Sequence, residues 1–552
     1  MNSINWKIKI GNNKEGKKMS KMFVTATPPT PNGDLHIGHL AGPYLGADVY
    51  SRFKKLQGND VSYITYGDDN QSYVSTTANN KKIDPVAMVE NNNTTIMSTL
   101  RAANIEVDLY KTPLGNNKHT NYVLTFFLEL YNSGKLKKKT KDILYCEDCN
   151  LYLYESFVKG LCPYCKNESS GNLCEACGQI NDPIELEHPT CTICGTTPKT
   201  TQYTGLFFPI NEYKDKLKKF YSSRTTWRAQ LTEYCNYIVS KDIPDYPVTY
   251  PSSWGIPVPI EEFKGQVINV WFEMYPGILE SIESDNIYSD NYTTNSTLIQ
   301  FLGFDNSFFN SVLHIASAFA IDRDELLPEH IITNYFYLLD EKKFSTSKGH
   351  ALWGSKILQN IPSDNLRFYL SLTNPEHMQT NFSLDNFFKA NKKMTNKWEE
   401  AINRYVDIVN QDFKGTIPKT DSIHYQATSL IQRTKNNLER YYDLQQFSLR
   451  KAAHELEDYM DSIKDYLDRI VIPLKDKDVH MYKRHVANFS YILSSLAIFS
   501  FPIMPNFSRK LYRNLGAKDS DLKWENLYNI DTFTEVGNEK QFFFSVISRR
   551  KS

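Results

Sequence analysis

Two histidines three residues apart, His36 and His39, bracket Ile37-Gly38 directly behind the turn segment Pro28-Pro29-Thr30-Pro31-Asn32-Gly33. At the start of a helix, residues i and i+3 share a face. The unbonded N–H groups and positive dipole end of that first turn favour a phosphate. Imidazoles placed there donate to phosphate oxygens as negative charge builds. A second group, Lys343-Phe344-Ser345-Thr346-Ser347-Lys348-Gly349, sets small hydroxyl residues between two lysines. A loop of that kind closes two cations over a triphosphate and stabilises the transition state of phosphoryl transfer. Alone, either motif also suits a solvated surface. The strand–turn–helix setting of the histidines decides for the phosphate.

Eight of the nine cysteines form four Cys-x-x-Cys pairs: Cys146/Cys149, Cys162/Cys165, Cys174/Cys177 and Cys191/Cys194. Clustered pairs read as zinc ligands rather than a disulfide framework. Four thiolates per tetrahedral ion give two closed structural Zn²⁺ sites. The short Cys165–Cys174 gap lets the inner pairs share one ion, leaving the outer pairs for the second; sequential pairing is also sterically allowed. Redox-active pairs are the alternative, and Gly178 and Gly195 after two of the pairs favour knuckles.

Elements must hold these groups in place. Residues 22–27 are a short β-prone run. Leu35, Leu40, Leu45, Val49 and Phe53 then follow helical spacing to Gly58, and Val61–Tyr66 is again β-prone, ending at Gly67-Asp68-Asp69-Asn70. Strand–helix–strand predicts a parallel α/β sheet. Apolar patterning lapses in the cysteine segment, which has too few core residues to fold without metal. Strand-like runs return at Thr204–Ile210, Val267–Phe272, Thr297–Phe301 and Ile331–Leu339. Beyond Phe387 an apolar stripe predicts a helical bundle.

At 552 residues, roughly 100–200 per domain predicts three to five domains. A hydrophobic share of 41% rules out wholesale disorder. Lys+Arg and Asp+Glu are both 63, which excludes a globally basic nucleic-acid coat. No apolar run reaches the ~20 residues of a membrane span; Tyr491–Ile503 is too short and contains Pro502. The first 21 residues lack an apolar signal core. A cytoplasmic protein without membrane partners is expected.

Together the two phosphate motifs resemble the paired signatures of class I aminoacyl-tRNA synthetases, most closely the methionyl-tRNA synthetases. Pro29-x-x-Asn32-Gly33-x-x-His36-x-Gly38-His39 resembles the first signature and Lys343–Gly349 the lysine signature. Trp254–Pro259, Val270–Phe272, Gly303–Asn306 and Asn365–Leu370 resemble segments around them. The resemblance implies an α/β fold: a Rossmann-like catalytic domain split by a zinc-knuckle insertion, then an all-α C-terminal bundle. The expected divisions are a tail at 1–20, the first catalytic half at 21–134 and the insertion at 135–203. The second half follows at 204–334, a linker with the lysine loop at 335–386, and the bundle at 387–552.

The implied activity is attack of an amino-acid carboxylate on ATP with Mg²⁺, giving an aminoacyl-adenylate, then transfer to tRNA. The resemblance assigns His36, His39, Lys343 and Lys348 to catalysis, Lys348 standing in for a second signature lysine replaced by Thr346. Asn32, Gly38, Gly303, Asp305, Ser345 and Ser347 fall at ATP-binding positions. Asp69 would hold the α-ammonium, a charge-assisted contact. Thr30, Trp271, Met274, Ile278 and Asn310 fall at amino-acid side-chain positions. The resemblance also implies the nested zinc arrangement.

Several positions depart from the family pattern. Thr30 and Ile278 replace pocket tyrosines, Met274 a small alanine and Asn310 a histidine. In the bundle, Arg404 is kept, but Glu400 and Pro473 stand where the family's anticodon-reading Asn and Trp belong. These departures support an alternative: a paralogue that activates another amino acid for a non-tRNA acceptor, such as a hydrazine-forming synthetase with a separate cupin-type partner. A non-catalytic relic is opposed by the retained His36, His39, Asp69 and Lys343.

Overall fold

The computed structural model describes residues 21–284, 296–323, 327–344, 350–528, 535–537 and 543–544. Its centre is a parallel sheet in the order Pro328–Asn334, Ser296–Gly303, Lys21–Ala26, Val61–Tyr66, Leu109–Lys111. Val24 lies between Ile299 and Tyr63 in register. Alternate side chains feed two cores, as the strand period of two requires. Val24, Tyr63 and Ile299 pack under Leu45, Val49 and Phe53, while Phe23, Ile64 and Leu298 pack under Phe126, Leu130 and Ile282. Strands covered on both faces are mostly apolar rather than alternating, which explains the β-prone runs. Strand order reverses beside Lys21–Ala26, so the crevice beyond the carboxyl ends of Lys21–Ala26 and Ser296–Gly303 is the expected ligand position in such a sheet.

The expected helix from Leu35 to Gly58 is broken. Residues Ile37–His39 start it, Gly42 leaves helical geometry at ψ −120° before Pro43, and a regular helix runs Leu45–Leu56. Proline at position 43 cannot donate an N–H to the ladder. The Asn334 side chain also lies 2.8 Å from where a Gly42 Cβ would sit. The strand-like run Val267–Phe272 is half strand: Gln266–Ile268 pairs with Thr249–Pro251, and a helix covers Val270–Ser284. Asn269 Oδ1 accepts from Trp271 N at 3.0 Å, stopping the strand and opening the helix. A short apolar run does not separate these states by periodicity. Ile331–Leu339 likewise splits, because Tyr337–Leu339 joins a second small sheet with Lys342–Lys343 and Thr380–Phe382.

The cysteine segment forms antiparallel sheets. Lys137–Cys146 pairs with Lys199–Phe208, and Glu155–Leu161 lies between Glu168–Gly171 and Glu187–Cys191. Its own core is small, built on Ile143, Leu153, Phe157 and Val158. The C-terminal region contains helices Leu384–Met394, Glu400–Phe413, Tyr425–Tyr442, Leu449–Tyr466, Val479–Ser500 and Pro505–Asn514. Among the described residues no helix is long and apolar enough to cross a membrane. Arg367 fastens this region to the sheet: it donates to Asp48 at 2.6 Å and to the Ile503 and Pro502 carbonyls at 2.7 and 2.8 Å.

Candidate active site

The strand Lys21–Ala26 delivers the turn and the two histidines to the crevice mouth. His36 caps the helix Ile37–His39. Its Nδ1 accepts from His39 N at 3.2 Å, and His39 Nδ1 accepts from His36 N at 3.3 Å. In each neutral ring the proton therefore sits on Nε2, which stays a donor. The rings stack at 3.6 Å. Both imidazoles are pushed below the ordinary histidine range: His36 by burial and then by its stacked neighbour, His39, whose edge reaches solvent, by the protein crowding it in the cleft. Both rings are thus held in the neutral form, with the Nε2 proton available.

The lysine segment reaches the same place. Phe344 stacks on His36 at 4.3 Å and 8°. Beyond the loop, Ile37 N donates to Leu352 O at 3.0 Å and Gly354 N to Leu35 O at 2.7 Å. Both ends of residues 344–352 are thus fixed against the histidine turn. Gly38 is explained by this approach, since a Cβ there would lie 2.8 Å from Phe344 and 3.0 Å from the His36 ring. The Lys343 backbone pairs with Leu338. Ser345, Thr346, Ser347 and Lys348 lie outside the described residues.

Asp69 follows strand Val61–Tyr66 and is fully buried. Its Oδ1 accepts from Asn93 Nδ2 at 2.8 Å and its Oδ2 from Leu114 N at 2.9 Å. Burial raises its carboxyl to about 6 against those two hydrogen bonds. Gly67 is required here, because a Cβ would stand 2.3 Å from Asp69 Oδ1. Asp68 beside it accepts from Gln71 Nε2 at 3.1 Å and Thr30 Oγ1 at 3.3 Å, and burial drives its carboxyl well above the usual range. Glu273 accepts from Asn70 Nδ2 at 2.9 Å and contacts His119 Nε2 at 2.9 Å.

The remaining candidates divide. Trp271 is stacked on Phe309 at 3.5 Å, and Asn310 Nδ2 donates back to Asn306 O at 3.1 Å. Met274 and Ile278 are buried in the helix behind them, Met274 O accepting from Tyr66 OH. Gly303 and Asp305 form the turn at the end of the neighbouring strand, where a Gly303 Cβ would lie 2.3 Å from Asp305 Oδ1. Asn32 lies in the turn itself, its N donating to Thr30 O. Asp68, Asn93, Glu273, His119 and Phe344 went unassigned from sequence. Only the Asp68-Asp69 adjacency and the place of Phe344 inside the lysine motif could have flagged any of them.

Away from the cleft, the thiols of Cys146, Cys149, Cys191 and Cys194 converge, as do those of Cys162, Cys165, Cys174 and Cys177, each set lying within 4.8 Å. This is the nested arrangement. In the bundle, Arg404 pairs with Asp468 at 2.7 Å and Glu400 is exposed. In the basic run at 135–141, Lys137, Lys138 and Lys139 pair with Glu212, Glu262 and Asp245.

The profile of the family described as tRNA synthetases class I (M) matches residues 22–406. The methionine–tRNA ligase of Methanobrevibacter smithii is 31% identical over 408 residues, 73% of this chain and 61% of that protein. The methionine–tRNA ligase of Methanopyrus kandleri is 28% identical over 521 residues, 92% of this chain and 77% of that protein. The chain thus spans less than two thirds of the first of these relatives. Mycobacterium tuberculosis methionyl-tRNA synthetase bound by methionyl-adenylate superposes with a TM-score of 0.76 at 18% identity, over 95% of this chain and 100% of that one.

Proposed function

The chain belongs to the class I aminoacyl-tRNA synthetases of the methionyl type, and from that premise we propose that it activates methionine with ATP and transfers it to tRNA. The methionine carboxylate attacks the ATP α-phosphorus, the bond to the β-bridging oxygen breaks, and pyrophosphate leaves. The tRNA terminal hydroxyl then attacks the adenylate carbonyl and AMP departs. The observation that carries this reading is the stacking of Phe344 on His36, which brings the lysine segment to the histidine turn.

In this scheme His36 and His39 donate from Nε2 to the phosphates, with Lys343 and Lys348 as cations over them. Asn32, Gly38, Gly303, Asp305, Ser345 and Ser347 line the nucleotide, whose Mg²⁺ offsets phosphate charge. Asp69 receives the α-ammonium. Catalysis is positioning and charge stabilisation, with no covalent enzyme intermediate.

Each four-cysteine set suits a structural Zn²⁺. Zn–S bonds of about 2.3 Å in a tetrahedron place sulfurs about 3.8 Å apart. Cys162–Cys177, Cys165–Cys174 and Cys149–Cys191 stand at 3.8, 3.6 and 3.9 Å. The ions would tie the insertion together and take no part in adenylation.

A second reading, another amino acid and a non-tRNA acceptor, is favoured by the side-chain wall. Thr30, Met274, Ile278 and Asn310 replace the family's residues there, and Asp68, Glu155 and Glu273 are buried acids nearby, none of which a thioether needs. Charging of tRNA with labelled methionine tests the first reading. Activation of a different amino acid without charging would replace it by the second.

A further inference from the structure

Glu155 is a buried carboxylate of the insertion that the proposed chemistry does not use. It opens strand Glu155–Leu161 with φ at +45°, a strained value for a residue with a Cβ. Its Oε2 accepts from Ser72 Oγ at 2.9 Å and its Oε1 from Asn172 Nδ2 at 3.1 Å. Asn172 is in turn held by Tyr246 OH at 3.0 Å. Burial pushes this carboxyl up to about 7 against its contacts with Ser72 and the nearby Trp271 side chain, and a buried acid held by a hydroxyl and an amide is a costly way to pack two elements.

The contact has a direction. Ser72 is the first residue of helix Ser72–Lys81, and Gln71 is its N-cap. Gln71 Oε1 accepts from Ser72 N at 2.9 Å, while Gln71 Nε2 donates to Asp68 Oδ2 at 3.1 Å. Glu155, Ser72, Gln71 and Asp68 therefore form one hydrogen-bonded chain ending on the residue that precedes Asp69. The hairpin grips the same helix twice more, through Ser156 to Thr76 and Ser170 to Tyr73, both at 3.2 Å. At the turn end of this hairpin Cys162 follows strand Glu155–Leu161, and its thiol meets that of Cys174, which lies beyond Gly171, the register partner of Glu155. The inner thiol set thus closes the hairpin that presents Glu155.

We infer that Glu155 is a positioning residue for amino-acid binding: through Ser72 and Gln71 it fixes the turn that presents Asp69. The inference rests on the reading that Asp69 receives the substrate amine. Its test is ATP–pyrophosphate exchange by the zinc-loaded full chain, comparing Glu155→Ala, Glu155→Gln, Ser72→Ala and the Glu155→Ala/Ser72→Ala pair. A misplacement of this kind raises the amino-acid KM about ten-fold or more in Glu155→Ala, with the KM for ATP and the zinc content unchanged. Glu155→Gln, which keeps an acceptor for Ser72, recovers most of the loss, and the double variant is no worse than Glu155→Ala. Amide hydrogen exchange across residues 68–76 speeds up in Glu155→Ala. An unchanged amino-acid KM with unchanged exchange, or an equal rise in both KM values, overturns the inference. A wild-type chain silent with every amino acid overturns the proposed function instead, and hydrogen exchange at 68–76 then decides whether Glu155 holds this turn.

Discussion

Asp69 must be ionised to hold an ammonium, yet burial lifts its carboxyl to about 6. Below that value the neutral acid predominates and amine binding is lost. Amino-acid kcat/KM should therefore fall about tenfold per pH unit on the acid side of 6, and Asp69→Asn should abolish that limb along with most of the activity. Because the folded value is raised, ionising Asp69 weakens the fold as pH rises from the ordinary carboxyl range to about 6; a bound amine should cancel that loss, seen as a larger ligand-induced rise in Tm at pH 7 than at pH 5. His39, itself held low, does not produce this limb. His39→Ala should lower kcat about 10²–10³-fold, the usual loss for one transition-state donor, with the amino-acid KM little changed. That His36, His39 and Asp69 follow strands of the central sheet was legible because each sits in a local motif at a strand end. Glu155 was not, because its partner Ser72 is 83 residues away and no local pattern joins them.

At the level of elements, the insertion makes the sharpest prediction. The thiol sets are nested, Cys146/Cys149 with Cys191/Cys194 and Cys162/Cys165 with Cys174/Cys177. With zinc bound at both, Cys146→Ser/Cys191→Ser should lose one equivalent by metal analysis, whereas Cys146→Ser/Cys162→Ser should lose both. Sequential pairing would reverse those outcomes. Spacing alone left both pairings open; the folded insertion decides, because Cys146 meets Cys194 and Cys149 meets Cys191 through their sulfurs. Strands Lys21–Ala26 and Val61–Tyr66 were readable because buried parallel strands are rich in apolar and β-prone residues, with small hydroxyls such as Thr25 and Ser62 between them. The helix at Val270 was not, since Asn269 switches the chain from strand to helix inside one apolar run.

For the whole molecule, Arg367 is the fastening that local pattern hides. It joins Asp48, 319 residues earlier, to the Pro502 and Ile503 carbonyls. Removing one partner of such a buried pair costs about 3–5 kcal/mol; Arg52, which also pairs with Asp48, keeps the loss at the lower end. Arg367→Ala should lower Tm in a thermal melt and should loosen the C-terminal helices first in hydrogen exchange. The division into sheet, insertion and bundle was legible from composition and period. The contacts that make them one body are long-range, and the sequence marks them only as isolated charged residues.

The account turns on the histidine turn and the lysine segment forming one adenylating cleft. ATP–pyrophosphate exchange measured with each proteinogenic amino acid tests this most directly. The account predicts exchange that requires an amino acid, methionine first among them, and that collapses in His39→Ala while the protein stays folded. A folded, zinc-loaded chain that binds ATP but exchanges pyrophosphate with no amino acid would contradict it.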